Sequence, residues 1–503
     1  MRRRDFLKQA GCSAALLGLS RKSWSANAIW GGAPDKISAE LLLGRGVRAN
    51  NVLEVFLYGG LSPFESFYVV EEYGRNDSAY PGEQFYLFEQ EHREYFDRCD
   101  IPEQMRGLQP FAKDSQGMMV NLGPFAAPLR ARPDILARMR IIVHRHDLEP
   151  HEAAIPYALS GFRLGSARMA GMGAAVQRYF QERDKTGRRI PYSYVLYPDT
   201  LVDTDNLVAA SSVGMHPGSA RPLDLRVTFD NALPQQLNRA RLGDRREAHD
   251  ALVGYYARAA RGRYANRGGQ PLRAPGVEDH AFATEILRES SALREVFTDD
   301  VLNPVDGSSC GDSEFSRTAT GLQIAAHLLT HPTAPARHIT LFDGGLIEAS
   351  GGGGYDVHTD HMMSISQNLT HTLKEMAARI NAPGEDDPGK IDLDRTMVIL
   401  NTEFGRTPFE QAGGNGTNHH PYGYVSVMFG GPIGEAQAGV LGAIGSGGMA
   451  NAFVTPGEAR AAVLAAMGIY PFTNASFAVG DIRDIATERD GLAWLNEIVL
   501  GRR

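Results

Sequence analysis

Glu403, Arg406 and the adjacent pair His419-His420 fall in one stretch, Arg395 to His420, directly after the apolar run Met397 to Leu400. Such a run is the pattern of a strand buried on both faces of a parallel sheet. Open α/β sheets bind ligands at the carboxyl ends of their strands. A carboxylate and two imidazoles at that place suit a metal or acid/base site. A loop salt bridge between Glu403 and Arg406, with the histidines in a solvated turn, accounts for the same residues without chemistry. A second group lies upstream. Asp356, His358 and His361 stand just before or at a helix start and follow Gly351 to Gly354, where glycines permit close backbone approach. Capping explains Thr359 or Asp360 but leaves Asp356 and the two histidines without a role. The third candidate is His151, in Pro150-His151-Glu152. It lies near a helix N-terminus, where the dipole favours an anion and disfavours imidazolium.

A sheet is needed to bring these groups together. Strands are expected at 51–58, 140–143, 194–196, 338–342, 397–400 and 425–429. Four of them finish in potential chemistry: Val143 before His144 and His146, Phe342 before Asp343, Leu400 before Glu403, and Phe429 before Gly430-Gly431. Helices are expected from Pro150 to a Gly161 cap, from Gly321 to Leu329, and after Thr455-Pro456-Gly457-Glu458, a capping-box signature. Another follows His361, where Met362, Ile365, Leu369, Leu373, Met376 and Ile380 recur at helical steps. Ser62-Pro63-Phe64-Glu65 carries the capping signature too, which predicts a helix start and explains Ser62 without catalysis. Strands alternating with helices imply an α/β fold, a three-layer α/β/α sandwich with a largely parallel central sheet. Its carboxyl edge would gather His151, Asp356, His358, Glu403, His419 and His420. Mixed imidazole and carboxylate ligands suit Zn²⁺, Mn²⁺ or iron better than Ca²⁺. Two such ions about 4 Å apart could clamp a phosphoryl or sulfuryl group.

The chain has 503 residues, 43% hydrophobic and 22% charged, the composition of a globular protein of one large or two ordinary domains. No linker or internal repeat divides it, so one domain over 29–503 is expected, with a helical insertion around 233–300. That insertion holds a basic segment, Arg261 to Arg273, which reads as solvated surface. Residues 1–28 are set apart as a signal peptide: Arg2-Arg3-Arg4-Asp5-Phe6-Leu7-Lys8 resembles a twin-arginine motif, a short apolar stretch follows, and Ala26-Asn27-Ala28 offers a cleavage site. The implied partner is the twin-arginine export machinery, and the implied location is periplasmic or secreted. That route carries folded proteins, which favours a metalloprotein. No segment approaches the length of a transmembrane span. Taking the six basic residues and one acidic residue of the leader from the chain's 51 and 59 leaves a net charge of −13. Such a surface argues against nucleic acid as a partner. Cys99 and Cys310 remain, able to pair in an oxidising compartment.

Four motifs carry a resemblance over most of the mature chain: Tyr58-Gly59-Gly60-Leu61-Ser62, Tyr355-Asp356-Val357-His358, Thr402-Glu403-Phe404-Gly405-Arg406-Thr407-Pro408, and Gly416-Thr417-Asn418-His419-His420. They resemble the exported proteins of domain-of-unknown-function family 1501, related to the alkaline phosphatase and sulfatase superfamily. The resemblance implies an alkaline-phosphatase-like fold and a divalent metal, Zn²⁺, Mn²⁺ or similar. The metal candidates are then Asp356, His358, Glu403, His419 and His420. His151 falls where sulfatases place a nucleophile, ten residues before the helix-closing Gly161, but departs from them in not being Ser, Thr or Cys. It becomes a nucleophile, a metal ligand or an acid/base, with nucleophile or acid/base the leading role. Arg406 would neutralise a small anionic ester substrate through its planar fork. The chain departs from the superfamily in lacking an Asp after Gly59-Gly60, in Phe404 where a second ligand would fall, and in Asn418. These readings imply either a metal-dependent hydrolase of phosphate or sulfate esters or a noncatalytic binding or assembly protein with a degenerate site.

Overall fold

The computed structural model describes residues 40–74, 93–164, 172–183, 194–197, 223–225, 293, 295–307, 310–311, 314–346, 354–409, 416–472 and 477–502, and isolated positions between 245 and 259. The expected leader (1–28), the basic segment at 261–273 and most of the expected helical insertion lie outside these residues.

The eight-stranded sheet consists of β1 (Asn51–Leu57), β2 (Met139–His144), β3 (Tyr194–Tyr197), β4 (Leu223–Asp224), β5 (His338–Asp343), β6 (Thr396–Asn401), β7 (Tyr424–Gly430) and β8 (Gly439–Leu441). Their spatial order is β8-β2-β7-β6-β1-β5-β3-β4. All pairings are parallel except those of β7, which runs antiparallel to β6 and to β2. Each expected strand forms, with its ends moved by a residue or so. The buried apolar runs account for this, because β1, β5, β6 and β7 are covered along their whole length.

Six helices flank the sheet or carry site residues: α1 (His151–Ser160), α2 (Met172–Arg183), α3 (Arg317–Thr330), α4 (His361–Ala378), α5 (Pro456–Ala466) and α6 (Glu488–Trp494). Alternation along the strands divides the apolar side chains between two cores. Leu53, Val55 and Leu57 of β1 pack with Leu322 and Leu329 of α3 and Ile365, Leu369 and Leu373 of α4. Val52 of β1, with Met397 and Ile399 of β6, packs with Val176 of α2, Val463 of α5 and Leu492 of α6. Thr455 and Glu458 form the expected capping box at α5. Gly161, at φ 77°, closes α1. No helix among the described residues is long and apolar enough to cross a membrane. Cys99 and Cys310 are joined as a disulfide across 211 residues of sequence.

Two expectations are corrected. Ser62-Pro63 starts a turn and no helix. The Ser62 hydroxyl accepts only a 3.4 Å bond from the Phe64 N–H, and Glu65 turns away toward His361. The chain is drawn off by tertiary pairing, in which Val69 exchanges both backbone bonds with Asn121. The second correction concerns β7. Because it runs antiparallel, Gly430 lies opposite Met397 at the start of β6, so Gly430-Gly431 belongs to the edge away from the other strand ends. The entry to β7, which carries His419 and His420, is the part that reaches the carboxyl edge.

Candidate metal centre

Three strand ends and one strand entry build the site. β1 ends in Tyr58-Gly59-Gly60, and β6 ends in Thr402-Glu403. The Thr402 hydroxyl donates to Leu57 O at 2.9 Å and accepts from the Leu61 N–H at 3.1 Å, joining the two ends. Gly59 has φ 108°, and a Cβ there would meet Asp356 N at 2.1 Å. Only glycine allows this approach, which brings Asp356 against the sheet edge. A Cβ on Gly416 would likewise meet the His358 carbonyl at 1.8 Å, so the His419 segment lies directly on the Asp356–His358 segment. His151 comes from the N-terminus of α1, which follows β2. Asp360, the residue ahead of α4, makes no side-chain cap bond.

Asp356 is the centre of the cluster. Its Oδ1 lies 3.1 Å from His358 Nε2 and 3.3 Å from His419 Nε2, and its Oδ2 lies 3.5 Å from His151 Nε2. The far nitrogens of two of these rings are already engaged. His151 Nδ1 donates to Glu403 Oε1 at 2.8 Å, and His419 Nδ1 donates to the Glu149 carbonyl at 3.0 Å. Glu403 is held in turn by the Gly59 N–H at 2.8 Å. When the ring is neutral, a proton fixed on Nδ1 leaves Nε2 with the lone pair. His151 Nε2 is buried and has no hydrogen-bond partner among the described residues. Donor atoms of His151, Asp356 and His419 all lie within 4.8 Å of one another. His358, 38% exposed at its side chain, completes the group from the open side.

The electrostatics follow from this crowding. Burial alone would lower the pKa of His151, but the neighbouring Asp356 and Glu403 carboxylates outweigh it and raise the value to about 9. Burial would raise Asp356, but His151, His419 and Arg406 hold its carboxyl well below the usual range. Burial, then Arg406, lowers His358. Tyr58, whose ring stacks on His151 at 5.3 Å, is pushed up by burial and by the Glu403 and Asp356 charges, so its phenol stays protonated. Phe404 stacks on His419 at 4.5 Å.

The residues singled out from sequence therefore divide. His151, Asp356 and His419 come together with their donor atoms converging, and His358 adjoins them through Asp356. Glu403 stands one layer back, orienting His151. His420 does not join the group: its Nε2 lies 2.8 Å from the Gly448 carbonyl. In the short antiparallel pair Gly405–Arg406 with His419–His420, neighbouring side chains face opposite ways. Arg406 is fully buried. Its guanidinium pairs with Asp356, donates to the Gly59 carbonyl, and reaches the Gly60 carbonyl at 3.3 Å and the Thr417 carbonyl at 3.4 Å. It is a buried clamp on Asp356, where the sequence suggested an arm for substrate. Sequence reasoning missed Tyr58, the Gly59 N–H and the Glu149 carbonyl. Two of the three act through backbone, which residue type does not advertise.

Residues 313–480 match the family described as protein of unknown function (DUF1501). That span holds Asp356, His358, Glu403, Arg406, His419 and His420, and leaves out His151. No curated protein matches the chain.

Proposed function

We propose that this chain is an exported, divalent-metal-dependent hydrolase of phosphate or sulfate esters, on an alkaline-phosphatase-like three-layer α/β/α fold. One observation carries the metal reading: His151 Nε2 is buried without a hydrogen-bond partner among the described residues while its Nδ1 is fixed by Glu403. A donor set of three imidazoles and one carboxylate, two of the rings braced from behind, fits one Zn²⁺ or Mn²⁺ ion. His151, Asp356 and His419 would hold it, with His358 from the open side. Bound there, the ion would polarise an ester oxygen and lower the pKa of water. Glu403 and the Glu149 carbonyl keep the two Nδ1 protons in place. Arg406, fully buried, offsets the charge of Asp356. Tyr58 and Phe404 give the site an aromatic wall. Loading requires the proton on His151 to leave, so affinity rises with pH toward about 9. The Cys99–Cys310 disulfide supports an oxidising compartment and therefore export.

A second reading, a noncatalytic periplasmic binding protein, is favoured by the commitment of Arg406, whose guanidinium is spent on Asp356 and backbone carbonyls. Metal analysis of the exported protein comes first. About one equivalent of Zn or Mn is expected, and less than about 0.2 equivalents with no stabilisation by added Zn²⁺ or Mn²⁺ overturns the metal centre. A panel of aryl phosphate and sulfate esters then separates the readings. The hydrolase turns over at least one ester and loses that activity in His151→Ala and Glu403→Ala, whereas a loaded but inert protein is the binding protein.

A further inference from the structure

The turn after β1 carries a carboxylate that the metal centre does not use. Glu65 is fully buried, and neither of its oxygens has a hydrogen-bond partner among the described residues. Its Oε2 is ion-paired with His361, whose Nε2 lies 3.3 Å away. On the other side of that ring, His361 Nδ1 lies 2.9 Å from the Thr417 hydroxyl. Carboxylate, imidazole and hydroxyl in series are the parts of an activated nucleophile. Burial argues against that use here, because Glu65 and His361 have no exposed surface and Thr417 has 1%.

Thr417 instead touches the segments that carry the candidate ligands. Its N–H donates to the Val357 carbonyl at 3.0 Å, and its hydroxyl lies 3.4 Å from the same oxygen. Val357 sits between Asp356 and His358, and Thr417 stands two residues before His419. The Thr417 carbonyl accepts from Arg406, which holds Asp356. An Nδ1–H of His361 donates to the Thr417 hydroxyl when the hydroxyl hydrogen points to the Val357 carbonyl.

We propose that Glu65, His361 and Thr417 form a positioning relay that sets the spacing between Asp356–His358 and His419, and so the affinity and geometry of the metal centre. The inference rests on the metal reading of the site. Glu65 and His361 touch neither metal nor substrate and act only through Thr417.

The test uses the full chain with Zn²⁺ alone in competition with a chromophoric chelator, and Co²⁺ alone for its visible absorption. Glu65→Gln and Thr417→Val are expected to weaken Zn²⁺ roughly 10–100-fold, as outer-shell changes do, and to alter the Co²⁺ band. Thr417→Ser keeps the hydroxyl and is expected to stay within about threefold of the unaltered chain. Tyr68→Phe removes a buried hydrogen bond to Asp114. It is expected to lower the melting temperature without moving Zn²⁺ affinity, which separates positioning from general stability. If the unaltered chain binds Zn²⁺ and Glu65→Gln and Thr417→Val bind it equally well, the relay is overturned while the metal centre stands. If the unaltered chain binds no Zn²⁺, both fall. Should Glu65→Gln fail to fold, the Thr417→Val and Thr417→Ser pair decides.

Discussion

Arg460 on α5 and Arg406 beyond β6 each hold a buried carboxylate, Glu54 in the first case and Asp356 in the second. Around Glu54 the neighbours are mostly fixed donors. Asn401 Nδ2 lies at 3.1 Å and the Thr340 hydroxyl at 3.5 Å, and Arg460 Nε is tied down by the Ala158 carbonyl at 2.7 Å. Around Asp356 the neighbours are three imidazoles, two of them with their donor nitrogens turned outward to other acceptors. The Glu54 pair is complete as it stands, whereas the Asp356 group presents lone pairs that only a cation or a proton can satisfy. Two ion pairs of one residue type thus part according to what their neighbours offer: donors make a structural joint, and lone pairs make a binding site.

Breaking the structural joint has the largest expected effect. Arg460→Met strands Glu54 without a counter-ion and should cost about 3–5 kcal/mol in urea unfolding, with Zn²⁺ affinity of the folded protein unchanged. A large loss of Zn²⁺ affinity in this variant would show that the two pairs are not separate. His151→Ala should do the converse. Zn²⁺ affinity, read by chelator competition, should fall more than roughly 100-fold, exceeding an outer-shell change.

The histidine beside each pair sharpens the contrast through pH. His338, 3.9 Å from Glu54, is lowered by burial to about 3, whereas His151 is raised to about 9. For His338 the unfolded chain binds the proton more readily, so its stabilisation is complete above pH 6.5 and is lost as pH falls. On the order of 2 kcal/mol should disappear between pH 6.5 and 5, and His338→Gln should remove that slope. For His151 the folded chain binds the proton more readily, so its stabilisation is complete below pH 6.5 and fades as pH rises through about 9. The metal-free protein should lose on the order of 3 kcal/mol over that window, and His151→Ala should abolish the loss. Urea titrations at pH 5, 6.5 and 9 measure both. The smallest effect belongs to His420: His420→Ala should change Zn²⁺ affinity by less than about threefold, where His419→Ala weakens it strongly. Equal losses would mean that the strand faces the other way.

The sheet was readable because Ile141–Val143 and Met397–Leu400 are continuous apolar runs and Val52–Leu57 is interrupted only by Glu54, a signal carried by the residues themselves. The direction of β7 was not, since a run of that kind reads the same in either sense and its pairing depends on the chain returning along one edge. Ser62-Pro63-Phe64-Glu65 has a helix-start sequence, yet long-range pairing of Val69 with Asn121 and the burial of Glu65 override it. Asp356, His358, His419 and His151 were visible as chemistry-bearing residues near strand ends. The division between His419 and His420 turns on strand alternation within a two-residue bridge, finer than spacing can specify. The reassignment of Glu403 and Arg406 depends on Gly59, whose missing side chain lets Asp356 come close enough to take Arg406 for itself.

The disulfide divides the chain in a way the sheet does not. His151 lies between Cys99 and Cys310, inside the covalent ring, while Asp356, His358 and His419 lie beyond it. A single protease cut anywhere between the two cysteines opens the ring but leaves the two fragments joined through the disulfide. A nicked molecule would therefore keep all four candidate ligands on one covalent body and would separate into two bands only after reduction.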